Sequence, residues 1–339
     1  MSTSFYSLLH KTIRLYDACG NIIGIVPLGQ IGYRGDFRKD STLRTFLCEW
    51  AKRNSCDSIM ILSGRPEFKD VQGYHVRMYV FEPEGTDDSG LTGAISTMCG
   101  NGVRAVAHFI ERILPNTNHV QIMTESGIRD VFVKGNNFYQ VNMGRFFSDT
   151  PALSQYINTN IIRAKNTYFI DSPIPEDLKR AINKYVSASS WSIGLNGDVN
   201  SNGKIDGEPH VVIFLDQVIK DIYYLRSIAK QLGPLITKNL ALFPYEINVN
   251  FASIDPKLKG DKKEASVLLC THERNLGNDP NHSVTAACGT GSTVVGALIF
   301  QKYDLTDKHV LNIHVPGGKL VISKSNENLF MEGSVQCLL

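Results

Sequence analysis

The chain has 339 residues, with 35 Lys and Arg against 33 Asp and Glu, 42% hydrophobic and 20% charged residues. This is the composition of an ordinary globular protein, long enough for two domains at roughly 100–200 residues each. Near-neutral charge with no Lys/Arg-rich run excludes nucleic acid and acidic membranes as expected partners and leaves small molecules as the ligand class.

In chain order, the amino terminus MSTSFYSLLHKTIRLYD shows no apolar signal core and no small-residue cleavage site. No stretch nears the roughly eighteen apolar residues of a membrane span, so the expected location is cytoplasmic. Seven scattered cysteines (Cys19, Cys48, Cys56, Cys99, Cys270, Cys288, Cys337) fit reduced thiols rather than a disulfide framework. Packing is the expected role of all but Cys99 and Cys288.

VRMYVFE (76–82) alternates as a strand, and TMCGNGVRAVAHF (97–109) then sets Cys99 before a glycine-rich turn and an apolar helical pattern. The next strands begin at His119, in HVQIMTESG, and end at Gly144, in QVNMG. After the loop-like SDTPALSQYINTNII the order recurs: SVLLCTHE, then AACGTGSTVVGALIF around Cys288, then HVLNIHVPGG, then LFMEG. Cys99 precedes His119 by 20 residues and Cys288 precedes His309 by 21, while Gly144 and Gly333 each lie 45 beyond their cysteine. One α/β unit is therefore present twice. The expected limits are 1–148 and 149–325, with a final strand in 326–339 returning to the first half.

VRAVAHFIERIL and STVVGALIF lack a broad polar face, so each helix is expected to lie buried within its own half. A thiol at a helix start sits in the positive end of the dipole, so both pKa values are expected below the free value of about 8.5. If the halves face one another, their helix starts meet one anion with a thiol on either side. A carboxylate held there presents its α-carbon to both sulfurs, one removing the α-proton as thiolate and the other delivering a proton to the opposite face.

MCGNGVRAVAHF and ACGTGSTVV resemble the two cysteine motifs of the diaminopimelate epimerase family, pyridoxal-independent amino-acid racemases and epimerases. RMYVFEPEG, YQVNMG, GEPHVVIFLDQV, LGPLITKNLALFPYEINVNF, HERN and VPGGKLVIS extend the likeness in order over most of the chain. The resemblance implies an α/β (α+β) fold of two pseudo-symmetric halves. Each is a curved mixed β-sheet or barrel around a central α-helix, with the active site in the cleft between them. It implies cofactor-independent inversion of an amino acid with Cys99 and Cys288 as acid and base, and His210 and Glu273 beside the thiols as further catalytic groups. Gly100, Asn101, Gly289 and Thr290 match the positions that cradle the substrate carboxylate. Asn21, Asn248 and Arg274 match further substrate contacts, and Glu273 is also placed to hold the α-amino group. A homodimer is expected from the resemblance alone.

Departures from the family pattern bear on the substrate. Glu82 in FEPEG and Glu208 in GEPH stand where the family has asparagine, and Ser58 where it usually has glutamine. Two acids repel a distal carboxylate and attract a distal cation, which points to an amino acid with a basic side chain such as histidine, lysine, ornithine or arginine. The alternative is an ordinary diaminopimelate epimerase acting on the LL and meso forms. Segments near DSGLTGAI (88–95) and NDPNHSVT (278–285) look inserted before the two cysteines.

Other readings are weaker. DVNSNGKIDGEP carries Asp198, Asn200, Asn202, Gly203 and Asp206 at calcium-loop offsets, but Pro209 stands where a bidentate Glu belongs. No GKS/GKT or properly spaced GxGxxG supports a nucleotide- or phosphate-binding module, and no soft-ligand cluster supports zinc. A disulfide between Cys99 and Cys288 would be a liability of such a site rather than its purpose. No cofactor and no metal are expected.

Overall fold

The computed structural model describes residues 3–339 apart from 88, 165–166, 200–201, 204, 256–263 and 275–282. Its contacts separate into two compact units, Met1–Asn142 with Glu332–Leu339, and Met143–Met331.

In the first unit, α1 (Thr3–Thr12) leads into the antiparallel pair β1 (Arg14–Ala18) and β2 (Asn21–Val26). The crossover α2 (Ser41–Arg53) returns the chain to β3 (Ser58–Ser63), parallel to β2. Asp40 starts α2 by accepting the Leu43 N–H at 3.0 Å, satisfying one of the donors a helix start leaves open. Antiparallel β4 (Val76–Thr86) and β5 (Thr92–Ser96) follow, then α3 (Gly100–Ile113), then β6 (His119–Thr124) parallel to β4. β7 (Gly127–Gly135) and β8 (Phe138–Phe147) complete a meander, and at the carboxyl end β17 (Gln336–Cys337) pairs with β1.

The two faces of β3 show why its middle, Ile59 to Leu62, is apolar. Ile59 and Ile61 join Leu43, Leu47 and Trp50 of α2 in one core, while Met60 points the other way, against Gly102 of α3. With period two and a helix on each face, no position is left for a solvent-facing polar residue. α3 packs on β1, β2, β3, β6 and β7 and is buried from Gly100 to Ile110.

The second unit repeats the connectivity. It adds short α4 (Thr150–Leu153), β9 (Ser172–Pro173) and α5 (Glu176–Ile182) before the antiparallel pair β10 (Ser190–Val199) and β11 (Ile205–Phe214). The crossover α6 (Ile222–Thr237) leads to β12 (Asn248–Ile254), parallel to β11. Antiparallel β13 (Glu264–His272), the central α7 (Gly289–Lys302) and β14 (Val310–Val315), parallel to β13, come next. The unit ends with β15 (Gly318–Ser325) and β16 (Asn328–Ser334). Val249 and Phe251 of β12 join the core under α6, whereas Asn250 faces Gly291 of α7. α7 is buried from Gly289 to Phe300, against β10, β11, β12, β14 and β15.

The two cysteine helices each have 14 residues; α3 is followed by β6, parallel to β4, and α7 by β14, parallel to β13. The sequence limits of 148 and 325 compare with contact boundaries after Asn142 and Met331, inside β8 and β16. One reading of the helices needs correction. α3 is buried but not apolar on nearly all sides, because Asn101, Arg104 and His108 are enclosed within it. Among the described residues no helix is long and apolar enough to cross a membrane.

Candidate active site

Cys99 and Cys288 occupy the same structural position. Each is the N-cap of its helix in extended backbone, and each sulfur accepts the N–H three residues on: Gly102 at 3.3 Å and Gly291 at 3.4 Å. The two carbonyls accept from Val103 and Ser292, both at 2.9 Å. The caps therefore take up two amide donors each, and the first-turn residues Gly100 and Asn101, and Gly289 and Thr290, form the helix mouths. Glycine is required at the third position. A Cβ on Gly102 would lie 2.3 Å from Met60 Sδ, and one on Gly291 would lie 2.6 Å from Asn250 Oδ1.

Strand registers extend the correspondence. β2 and β3 pair Ile23 with Ser58, and β11 and β12 pair His210 with Asn248. β3 and β4 pair Met60 with Val80, and β12 and β13 pair Asn250 with Thr271. Two residues along, Asn21 falls level with Glu208, and Glu82 with Glu273. The residues singled out in the sequence thus sit on equivalent rungs of the two units.

In the first unit, Asn21 opens β2, and Glu82 lies on β4 where it accepts from Ser58 Oγ at 2.9 Å. Arg104, fully buried in α3, donates to Asn101 Oδ1 at 2.6 Å and to the Ser334 carbonyl at 2.9 Å. Burial pulls its pKa down to about 10, and the charges of Cys19, Cys99 and Asp17 oppose that fall, so it remains a cation at neutral pH. The hairpin of β4 and β5 is anchored by buried Arg44. It donates to the carbonyls of Thr92 at 2.9 Å and Gly93, and pairs with Asp87 at 2.6 Å.

In the second unit, His210 Nε2 lies 3.1 Å from Thr290 Oγ1, which lies 3.5 Å from Cys288 Sγ. Glu273 borders the same sulfur and accepts from Thr285 Oγ1 at 2.6 Å. The Arg274 backbone N–H donates to Asn248 Oδ1 at 2.9 Å, and its guanidinium forms an ion pair with Glu208 at 3.0 Å. His210, Glu273, Thr290 and Cys288 are thus one cluster, with Glu208, Arg274 and Asn248 as a second.

The Cys288 pKa corrects the sequence expectation. Burial, with the Glu273 carboxylate next, pushes this thiol well above its ordinary value, and the Thr290 and Gly291 donors only partly oppose the rise. A helix dipole contributes about 0.3–1 kcal/mol, a fraction of a pKa unit, whereas complete burial shifts a group by up to about 3–5 units. Desolvation wins. His210, pushed down to about 3 by burial and then by Arg274, is neutral.

Sequence reasoning missed Asn250, Thr271 and Arg104. The signal for the first two was polar residues on the α7-facing rungs of strands that have helices on both sides. The calcium-loop reading falls partly outside the described residues, as do most of NDPNHSVT and the Asn275 of HERN.

Residues 204–338 match the family model described as diaminopimelate epimerase. A diaminopimelate epimerase of Methanococcus aeolicus is 26% identical over 265 residues, covering 77% of this chain and 75% of that protein. One from Brachyspira hyodysenteriae is 29% identical over 265 residues, covering 77% and 76%. These matches support the diaminopimelate epimerase family for this chain. The chain is an isomerase of the pyridoxal-phosphate-independent racemase and epimerase class. The fold is shared with a phenazine biosynthesis PhzF-family protein of Enterococcus faecalis, with TM-score 0.58, 12% identity and 96% of both chains covered. It is also shared with a hydroxyproline epimerase of Agrobacterium vitis bound to trans-4-hydroxy-L-proline, with TM-score 0.55, 12% identity and 96% and 90% covered.

Proposed function

We propose that this epimerase inverts the α-carbon of a free amino acid with Cys99 and Cys288 as paired acid and base, without a cofactor. The observation that carries the reading is the equivalence of the two sulfurs, each capping a central helix and accepting the amide three residues on. One thiolate takes the α-proton, and the other thiol delivers its proton to the opposite face. The helix mouths at Gly100 and Asn101, and at Gly289 and Thr290, hold the α-carboxylate through backbone N–H groups. The Glu273 carboxylate binds the α-ammonium, keeping positive charge beside the carbon being deprotonated. His210 acts on Cys288 through Thr290. Proton transfer by such positioned groups contributes about 10²–10⁴-fold each.

The proposed substrate is an amino acid with a basic side chain, contacted by Asn21, Glu82, Glu208, Asn248 and Arg274. Glu82 supplies negative charge, and the Glu208 ion pair already matches the Arg274 guanidinium that would otherwise meet a distal carboxylate. That pairing also revises the role of Glu208, which answers Arg274 rather than acting as a second lone anion. The second reading is a diaminopimelate epimerase proper, favoured by the activity that the sequence relatives are named for. The distal ammonium of diaminopimelate would then face Glu82.

The experiment is incubation in deuterated water with histidine, lysine, ornithine, arginine or diaminopimelate, following loss of the α-proton signal. Exchange with one or more basic amino acids is expected. Exchange confined to diaminopimelate removes the basic-substrate reading.

A further inference from the structure

At three equivalent strand positions the units differ in kind. The first has Ile23, Met60 and Val80, and the second has His210, Asn250 and Thr271, all exposed by 3% or less. Buried polar groups cost free energy unless every donor and acceptor is matched, so three such replacements of apolar residues persist only as a satisfied network.

The network is satisfied, and its polarity follows from the partners. Asn250 Nδ2 lies 3.1 Å from the Val211 carbonyl, which only accepts, so this side of the amide is the NH2 group. Its Oδ1 correspondingly receives the Thr271 hydroxyl at 2.8 Å. The same Nδ2 lies 3.1 Å from His210 Nδ1, so that ring nitrogen is the acceptor and carries no proton. The neutral ring therefore holds its proton on Nε2 and donates it to Thr290 Oγ1 at 3.1 Å. Thr290, having accepted, has its own O–H left to donate, and Cys288 Sγ is 3.5 Å away.

We propose that Asn250 is a positioning residue that locks His210 as the Nε2–H tautomer, so that a one-way line of donors through His210 and Thr290 ends on the Cys288 sulfur. The inference rests on the acid/base role proposed for Cys288. When this thiol has given its proton away, the resulting thiolate receives Thr290 O–H and Gly291 N–H together. The line opposes the two features that disfavour the anion, burial and the Glu273 carboxylate at the end of β13. The charged group acting on His210 is Arg274, which further keeps the ring neutral. At the equivalent positions of the first unit, Met60 and Val80 have nothing to donate.

The test has two arms. Nitrogen-15 NMR of histidine-labelled protein, with His210 assigned from His210→Gln, reports the tautomer whether or not a substrate is known. A protonated Nε2 and bare Nδ1 at neutral pH are expected, and a protonated Nδ1 overturns the proposal. In the second arm Asn250→Asp puts an acceptor against Nδ1, so the tautomer is expected to switch and Thr290 to turn its hydroxyl toward the ring. Deuterium exchange of the substrate enantiomer served by Cys288 should slow about 10-fold, the size of one lost donor to a charged group, with its pH profile moved upward and KM little changed. Asn250→Gln, which keeps the amide, should recover part of the rate. An unchanged tautomer and pH profile in folded Asn250→Asp overturns the proposal. If wild-type protein shows the Nε2–H tautomer but exchanges no amino acid, the functional reading fails and the tautomer assignment stands.

Discussion

The surroundings of the two cysteines differ although their backbone positions match. Five residues beyond Cys99, α3 has the buried cation Arg104, tied to Asn101 in the first helical turn; five beyond Cys288, α7 has Thr293, bonded to the Gly289 carbonyl. Glu273 and a line of neutral donors surround Cys288, whereas apolar Met60, paired with Val80, packs against Gly102 of the Cys99 helix. A duplicated scaffold has kept its geometry and diverged in its electrostatics. The cation on one side favours negative charge at Cys99, and burial with an anion on the other favours the protonated thiol at Cys288.

The largest effects should come from the sulfurs. Cys99→Ala and Cys288→Ala should each lower net inversion by about 10²–10⁴-fold or more, measured by polarimetry with the best substrate from the exchange screen. Each variant should retain one-sided exchange of a single enantiomer. Full racemisation by either would remove the pairing.

Arg104→Met should cost about 2–4 kcal/mol in urea unfolding, because Asn101 Oδ1 and the Ser334 carbonyl lose a buried donor. The same variant should slow iodoacetamide labelling of Cys99 and leave labelling of Cys288 unchanged. Equal slowing at both would contradict the asymmetry.

Glycine replacements sharpen the contrast. In Gly291→Ala the new methyl meets Asn250, Thr271 and the Cys288 sulfur, all fixed by hydrogen bonds, for an expected cost of about 1–3 kcal/mol. In Gly102→Ala it meets only the flexible end of Met60, and the cost should be smaller.

Acidification acts most strongly on the second unit. His210 and His272 are pushed down by burial to about 3 and about 4, below the roughly 6.5 of an unfolded ring. Below pH 6.5 the unfolded chain therefore binds more protons than the native one, and stability falls as pH falls until each native value is reached. The slope is about 1.4 kcal/mol per pH unit for each ring. Urea midpoints between pH 7.5 and 5 measure it, and His210→Gln should make the slope shallower, with His272, His75, His108 and His314 carrying the rest. The smallest expected effect is that of Glu208→Gln, which releases the Arg274 guanidinium and should lower KM for substrates with a distal carboxylate.

Much of this was legible in the chain. The repeated Cys-Gly-x-Gly, with glycines 45 residues beyond, located both helix starts because an N-cap with a required glycine at the third helical position leaves a fixed local pattern. That Asn248 and Arg274 lie together was legible through family resemblance. The Cys288 protonation state was not, because it depends on burial among strands distant in sequence. Nor was Asn250, since NVNFAS reads as a strand with one polar face until helices are known to cover both sides. Arg104 hid within VRAVAHF, where an arginine ordinarily faces solvent. The Glu208 partner was missed because charges were counted by residue rather than by contact.

The most direct test of the central claim is racemisation of one pure enantiomer in deuterated water, sampled early by mass spectrometry after chiral separation. Two opposed thiols predict deuterium in the newly formed enantiomer while the remaining starting enantiomer keeps its α-proton. Equal labelling of both enantiomers from the earliest times would show a single base serving both faces and would contradict the account.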